Sequence, residues 1–151
     1  MTRSTIEPVR TTWAEHATAT LSAAGHREGG ARRAVVELLA EQECCLTAQE
    51  IFDTLRARGR RVGIASVYRI LEQLAQLRLV QRVEVGGGLA RYEPQGPGGE
   101  HHHHVVCGDC GRVDAFSDEA LERAVRRAGE RLGYDAAHEI VLHGACADCR
   151  T

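Results

Sequence analysis

Glu100-His101-His102-His103-His104-Val105-Val106-Cys107 is the stretch from which the rest of the 151-residue chain is read. The four histidines are internal, which makes a purification tag a poor explanation. If the run is a strand, side chains alternate faces, so His101 and His103 share one side and His102 and His104 the other. One tract can then feed two separate metal sites. At the usual strand rise, two imidazoles on one face lie about 6.5 Å apart along the backbone, close enough to share an ion but too few to complete its shell. Other elements must supply the remaining ligands.

Downstream of this run, Ser117 is expected to cap a helix, with Asp118 and Glu119 suited to its positive end. Leu121, Val125, Ala128 and Leu132 form its expected buried stripe, and Glu122 lies beside that stripe. A last strand is expected over 138–143, where His138 shares a face with Ile140 and Leu142 while His143 points the other way. His138 is therefore the better ligand candidate; His16, His26 and His143 are read as ordinary surface residues. The six cysteines form three close pairs: Cys44-Cys45, Cys107-x-x-Cys110 and Cys146-x-x-Cys149. Residues 1–10 show no apolar stretch like a secretory signal, so the expected compartment is the cytoplasm, where paired cysteines bind metal more often than they form disulfides. Cys107, Cys110, Cys146 and Cys149 fit a four-thiolate zinc site, closed to substrate and structural in type. Such an ion would contribute on the order of 10 kcal/mol to a domain too small to rely on its core.

Upstream, apolar residues recur at helical spacing. Trp13, Ala17, Leu21 and Ala24 make one set, and Ala31, Ala34, Val35, Leu38 and Leu39 follow the breaker Gly29-Gly30. Thr47 with Glu50 three residues later is a capping box that starts a third helix over Ala48, Ile51, Phe52 and Leu55, ending near Gly59. Val67, Ile70, Leu71, Leu74 and Leu77 predict a fourth, whose other face carries Ser66, Arg69, Gln73 and Gln76. Strands are expected over 79–85 and 89–93, joined by Gly86-Gly87-Gly88. This is the order of a winged helix-turn-helix, which sets its last helix in the DNA major groove. Ser66, Tyr68 and Arg69 are the candidates for groove contacts, and Arg60, Arg61 and Arg82 for phosphates. The plainer alternatives are that Tyr68 is a half-buried core residue and that the arginines are merely solvated.

The chain is 43% hydrophobic, 26% charged and 4% aromatic. That composition suits one or two soluble domains, holds too few aromatic rings for a stacking surface, and offers no apolar run long enough to span a membrane. Residues 1–99 hold 13 arginines against 11 acids, a balance of +2; residues 100–151 hold 6 against 10, a balance of −4. The expected organisation is α+β: a winged helix DNA-binding domain over 1–94, a hinge over 95–100 containing Pro97-Gly98-Gly99, and a small α/β metal-binding dimerisation domain with the structural zinc over 101–151.

Val62-Gly63-Ile64-Ala65-Ser66-Val67-Tyr68-Arg69, the histidine tract, Cys107-Gly108-Asp109-Cys110-Gly111 and Cys146-Ala147-Asp148-Cys149 together resemble the ferric uptake regulator family from about Trp13 to Cys149. The resemblance implies a homodimeric, metal-dependent repressor of metal uptake genes that binds palindromic operator DNA, with no small-molecule substrate and no membrane partner. It implies a sensing site at His101, His103, Glu122 and His138, the set that the face argument also selects. It further implies a hinge site at Glu93, His102 and His104, completed from the DNA-binding half, where iron-type members usually have histidine and this chain has Cys45 beside Cys44. Cys44 and Cys45 can also be read as a small core pair at a helix end. Iron-type members often carry aspartate at the place of His103 and an acid at the place of Ala115. Imidazole and thiolate suit zinc, which favours the zinc uptake regulator branch and Zn(II) as regulatory ion beside the structural Zn(II). Zinc-type members carry Asp and Cys hinge ligands where this chain has Gln81 and Gln95, so Fe(II) or peroxide sensing stays open as the alternative. A reading of another class is a small metal-dependent hydrolase, since histidines with a glutamate can activate water. No paired general base, nucleophile elbow or phosphate loop supports it, and a non-enzyme is expected.

Overall fold

The computed structural model describes residues 7–96 and 101–150. The chain forms two compact units, Met1–Glu100 and His101–Thr151. Of the hinge read at 95–100, residues 97–100 lie outside the described residues, and the Gln95 amide still donates to the Leu79 carbonyl at 2.8 Å.

In the first unit the elements run α1 (Glu7–Ala23), α2 (Gly30–Glu41), β1 (Leu46–Thr47), α3 (Ala48–Ala57), α4 (Ile64–Gln76), β2 (Val80–Glu84) and β3 (Ala90–Pro94). The apolar stripes read from the sequence meet in one core. Trp13, Ala17 and Leu21 of α1, Val35, Leu38 and Leu39 of α2, Ile51 and Leu55 of α3, and Val67, Leu71 and Leu74 of α4 are all buried there. Indole is large and carries one donor, which buried surroundings must satisfy. Trp13 Nε1 meets this by donating to the Leu79 carbonyl at 2.9 Å, fixing α1 against the start of the wing.

The wing is a three-stranded sheet in the order β1-β3-β2, and its antiparallel hairpin pairs Val80 with Pro94 and Glu84 with Ala90. Gly86, Gly87 and Gly88 all have positive φ, of 102°, 71° and 72°, the backbone region where a side chain is penalised. Strand β1 is too short to show a period in sequence; it pairs Leu46 with Tyr92 and Thr47 with Arg91. The capping box is complete. Thr47 Oγ1 accepts from the Glu50 amide at 3.1 Å, and Glu50 Oε2 accepts from the Thr47 amide at 2.8 Å and from Arg91 Nη1 at 3.2 Å. The α3 terminus is thereby tied to the wing strand that carries Glu93.

The second unit is β4 (His103–Cys107), β5 (Val113–Phe116), α5 (Glu119–Leu132) and β6 (Val141–Gly144). Its sheet has β4 in the middle, antiparallel to β5 and parallel to β6. Several expectations need correction. The strand begins at His103, so His101 and His102 lead into it. The last strand starts at Val141, so His138 and Ile140 precede it. The α5 cap is Asp118 and not Ser117: Asp118 Oδ1 accepts from the Leu121 amide at 2.9 Å, and a carboxylate adds charge attraction to the helix end. The α5 stripe is not buried either. Leu121, Val125 and Ala128 are half-buried and Leu132 is 74% exposed, because three strands of four or five residues are too small a platform to cover the helix.

Thr47→Ala should destabilise the first unit by about 1 kcal/mol, the usual cost of losing a helix N-cap, whereas Thr47→Ser should retain most of the stability. Denaturant midpoints of the full chain check both.

Candidate metal centres and DNA-facing surface

Two reversals of the chain build the four-cysteine cluster. Strand β4 ends at Cys107, whose carbonyl accepts from the Gly111 amide at 2.9 Å, closing the turn that carries Cys110. The parallel pairing of β4 with β6 continues through the Gly108 amide to the Gly144 carbonyl at 2.8 Å, which delivers Cys146 and Cys149 alongside. All four sulfurs lie within 4.8 Å of one another. A tetrahedral ion with bonds of about 2.3 Å to sulfur requires neighbouring sulfurs about 3.8 Å apart. Cys110 Sγ and Cys146 Sγ are 3.8 Å apart, so the cluster fits zinc with little adjustment. Backbone amides of Cys110, then Cys146 and Asp109, hold the Cys107 thiol down to about 6. Hydrogen bonding with Cys146, then Cys110 and Cys107, pushes Cys149 up to about 12. The Cys107 sulfur thus ionises most readily, whereas Cys149 needs a cation to ionise beside it.

The second cluster contains the sensing residues expected from sequence. Ligand atoms of His101, His103, Glu122 and His138 lie within 4.8 Å of one another. Tetrahedral bonds of about 2.05 Å to nitrogen or oxygen place neighbouring donors about 3.3 Å apart. The structure has His101 Nε2 to His138 Nε2 at 3.3 Å, His138 Nε2 to Glu122 Oε2 at 3.1 Å, His101 Nε2 to Glu122 Oε2 at 3.8 Å, and His103 Nε2 to Glu122 Oε1 at 2.5 Å. Hydrogen bonds from His103 and then His138, with the charge of His101, hold the Glu122 carboxyl below the usual carboxylate range. The carboxylate therefore contributes stability above its unfolded value, and this is lost only as pH falls through the lower folded one. A cleft lined by His101, Ser117, Asp118, Glu122 and Arg126 opens beside the cluster and gives an ion a route in.

One partner of this cluster has no signature in sequence, because it is backbone. The Ile140 amide donates to His103 Nδ1 at 3.3 Å, so a neutral His103 carries its proton on Nε2, facing Glu122. If His103 held a metal through Nε2, its ring proton would sit on Nδ1, which could then no longer accept from Ile140.

Within the first unit, ligand atoms of Cys44, Cys45 and Glu93 also lie within 4.8 Å of one another. The sequence places Cys45 at the hinge position with Cys44 adjacent and leaves open which of the two would ligate; the structure puts their sulfurs 3.7 Å apart. The signal was the Cys-Cys adjacency itself. The Cys45 thiol is pushed well above its usual range by the hydrogen bond with Cys44, then by burial and nearby charge including Glu93. The tract's other two rings, His102 and His104, belong to the second unit and face each other with centroids 5.1 Å apart. The even-numbered and odd-numbered histidines thus separate as strand alternation requires, although His101 and His102 lie just outside the strand.

On α4, Val67, Ile70, Leu71 and Leu74 face the core, while Tyr68 is 54% exposed and Arg69 is exposed. Tyr68 is not a core residue. Arg69 Nη2 donates to Ser66 Oγ at 3.2 Å, holding both on the outer face. Arg60, Arg61 and Arg82 are exposed; Arg60 lies 3.6 Å from Glu37 and Arg82 3.2 Å from Glu84. Such surface pairs are worth about 0–1 kcal/mol, so they leave the guanidinium groups available to phosphate.

Metal loading of the histidine–glutamate cluster should shift the Ile140 amide resonance and quicken its hydrogen exchange as its acceptor is lost. An unchanged Ile140 amide would show that His103 does not ligate through Nε2. Cys146→Ser should release the tight zinc and unfold the second unit, since apparent zinc binding energies of about 10–16 kcal/mol act as folding energy in such sites. Loss of the sheet signal on metal analysis and circular dichroism checks this.

The Ferric uptake regulator family matches residues 23–143. The ferric uptake regulation protein of Vibrio anguillarum is 36% identical over 119 residues, covering 78% of each chain. The zinc uptake regulation protein of Mycobacterium tuberculosis is 35% identical over 133 residues, covering 87% of this chain and all of its own length. Among solved structures, the Helicobacter pylori ferric uptake regulator, described as having three functional metal binding sites, has a TM-score of 0.80 at 25% identity, covering 93% of each chain. Its architecture, an α+β chain with an N-terminal winged helix and a small α/β domain, is shared here. Proteins of this family are metal-responsive transcription regulators and not enzymes, which speaks at the family level against the hydrolase reading. The chain is a member of the ferric uptake regulator family.

Proposed function

We propose that this protein is a Zn(II)-responsive repressor that binds palindromic operator DNA as a homodimer in the cytoplasm and controls metal uptake genes. The observation that carries the proposal is the His101, His103, Glu122 and His138 cluster, with three imidazoles and one carboxylate near tetrahedral separations. That donor set suits zinc better than a harder ion that prefers more oxygen. Ala115, where iron-type members often carry an acid, pairs with His104 in the β4–β5 register and offers no ligand. The relative named for zinc uptake regulation supports this reading.

Cys107, Cys110, Cys146 and Cys149 would hold a structural zinc that keeps the second unit folded. His101, His103, Glu122 and His138 would hold the regulatory ion. The hinge site would join Glu93 and Cys45 with His102 and His104, as the resemblance implies. Bound zinc would supply a fixed coordination geometry, preferring one arrangement of its ligands over all others. A repressor whose DNA-competent form binds the ion more tightly is shifted toward that form by the ion's supply. Divalent charge added to residues 100–151, whose arginines and acids sum to −4, also weakens repulsion of DNA. Ser66, Tyr68 and Arg69 would read the groove, with Arg60, Arg61 and Arg82 on phosphates. The half-covered α5 stripe, with Leu132, Tyr134 and Leu142 exposed, supplies apolar surface for a second copy.

DNA selected from a random pool by zinc-loaded protein should bind tightly with micromolar zinc and weakly after chelation. His101→Ala or Glu122→Ala should weaken the zinc-dependent binding by about tenfold or more while one tight zinc per chain remains. Equal affinity with and without metal would overturn the proposal.

A further inference from the structure

The hinge assignment above uses Cys45 alone, yet the geometry of the first unit contains a second sulfur donor. Cys44 and Cys45 sit between α2 and β1, with their sulfurs 3.7 Å apart. This matches the edge of about 3.8 Å that two thiolates span on one tetrahedral ion, and it equals within 0.1 Å the 3.8 Å between Cys110 and Cys146 of the four-cysteine cluster. Glu93 is 4% exposed and Cys45 3%, so both donors are withdrawn from bulk water. All three ligand atoms lie within 4.8 Å of one another. Arg91 Nη1 is engaged with Glu50 Oε2 at 3.2 Å and reaches the Cys45 carbonyl at 3.5 Å.

We infer that Cys44 and Cys45 act together as a two-sulfur chelate which, with Glu93, makes this a site for thiophilic cations such as Zn(II) and Cd(II) and against Mn(II). This inference rests on the metal-responsive reading above and deepens it by fixing the chemistry of one site. Two thiolates select soft and borderline ions, whereas carboxylate and imidazole sites leave the choice among divalent ions wider. Occupying the site displaces the thiol protons, one from each cysteine, so the metal–sulfur bonds form with release of two protons and no change of oxidation state.

The test uses the full chain with the structural zinc retained. Cobalt(II) added as a probe should produce a thiolate-to-cobalt charge-transfer band that falls by about half in Cys44→Ser, by about half in Cys45→Ser, and disappears when both are changed. A band unchanged in Cys44→Ser, or present in the double variant, overturns the chelate. A measurement on the unsubstituted protein guards against folding defects. Zn(II) or Cd(II) should protect both Cys44 and Cys45 from a maleimide, as read by peptide mass, and Mn(II) should protect neither; alkylation of Cys44 in zinc-loaded protein, or equal protection by Mn(II), overturns the inference. Operator affinity measured on the same samples separates the two readings. Zinc-dependent operator binding with Cys44 alkylated sinks the chelate alone, and protection of both cysteines with metal-indifferent operator binding sinks the repressor proposal alone.

Discussion

A tetrahedral cation accepts donors only when they stand about 3.3–3.8 Å apart, and an extended backbone turns successive side chains to opposite sides. These two constraints meet at His101–His104. The rings of His101 and His103 lie 4.6 Å apart, and those of His102 and His104 5.1 Å apart, each pair on its own side. From this separation follows the division of labour in the second unit. One side closes with Glu122 from α5 and His138 from the approach to β6; the other carries His102 and His104. Helix α5 is placed so that its first turn, capped by Asp118, carries Glu122 toward the rings.

The two units reach stability by different routes. The first has an apolar core fed by four helices and closed by the wing, together with a complete capping box and a satisfied indole. The second has few residues, short strands and a helix with no fully buried side chain. A chain of this size ordinarily needs a metal or a partner surface to hold its fold. The four cysteines join the β4–β5 turn to the segment after β6 at one end of the sheet.

Much of this was legible in the sequence because it rests on periodicity and on residue chemistry. The four N-terminal helices, the Thr47–Glu50 box, the glycine turn and the pairing of cysteines all carry local signals. The histidine faces were also legible, although the strand starts only at His103. What escaped was decided by three-dimensional neighbours. Strand β1 is two residues long and has no period. Asp118 rather than Ser117 caps α5 because both residue types suit the position and only the backbone path chooses. The α5 stripe looks like a core face in sequence, yet the strands beneath it are too short to cover it. Cys44 shows only its adjacency to Cys45, and the Ile140 amide acts through backbone.

The chain has a single tryptophan, and its placement gives the molecule an optical reporter of its own. Trp13 is 4% exposed, and its ring nitrogen is bound to the Leu79 carbonyl, at the point where α1 meets the wing. Indole emission depends on polarity and hydrogen bonding, so any rearrangement that loosens α1 from the sheet would change the fluorescence colour without a dye. Because all the indole light comes from the winged unit, an indole signal that responds to an ion bound by the other unit would be a direct optical measure of communication along the polypeptide.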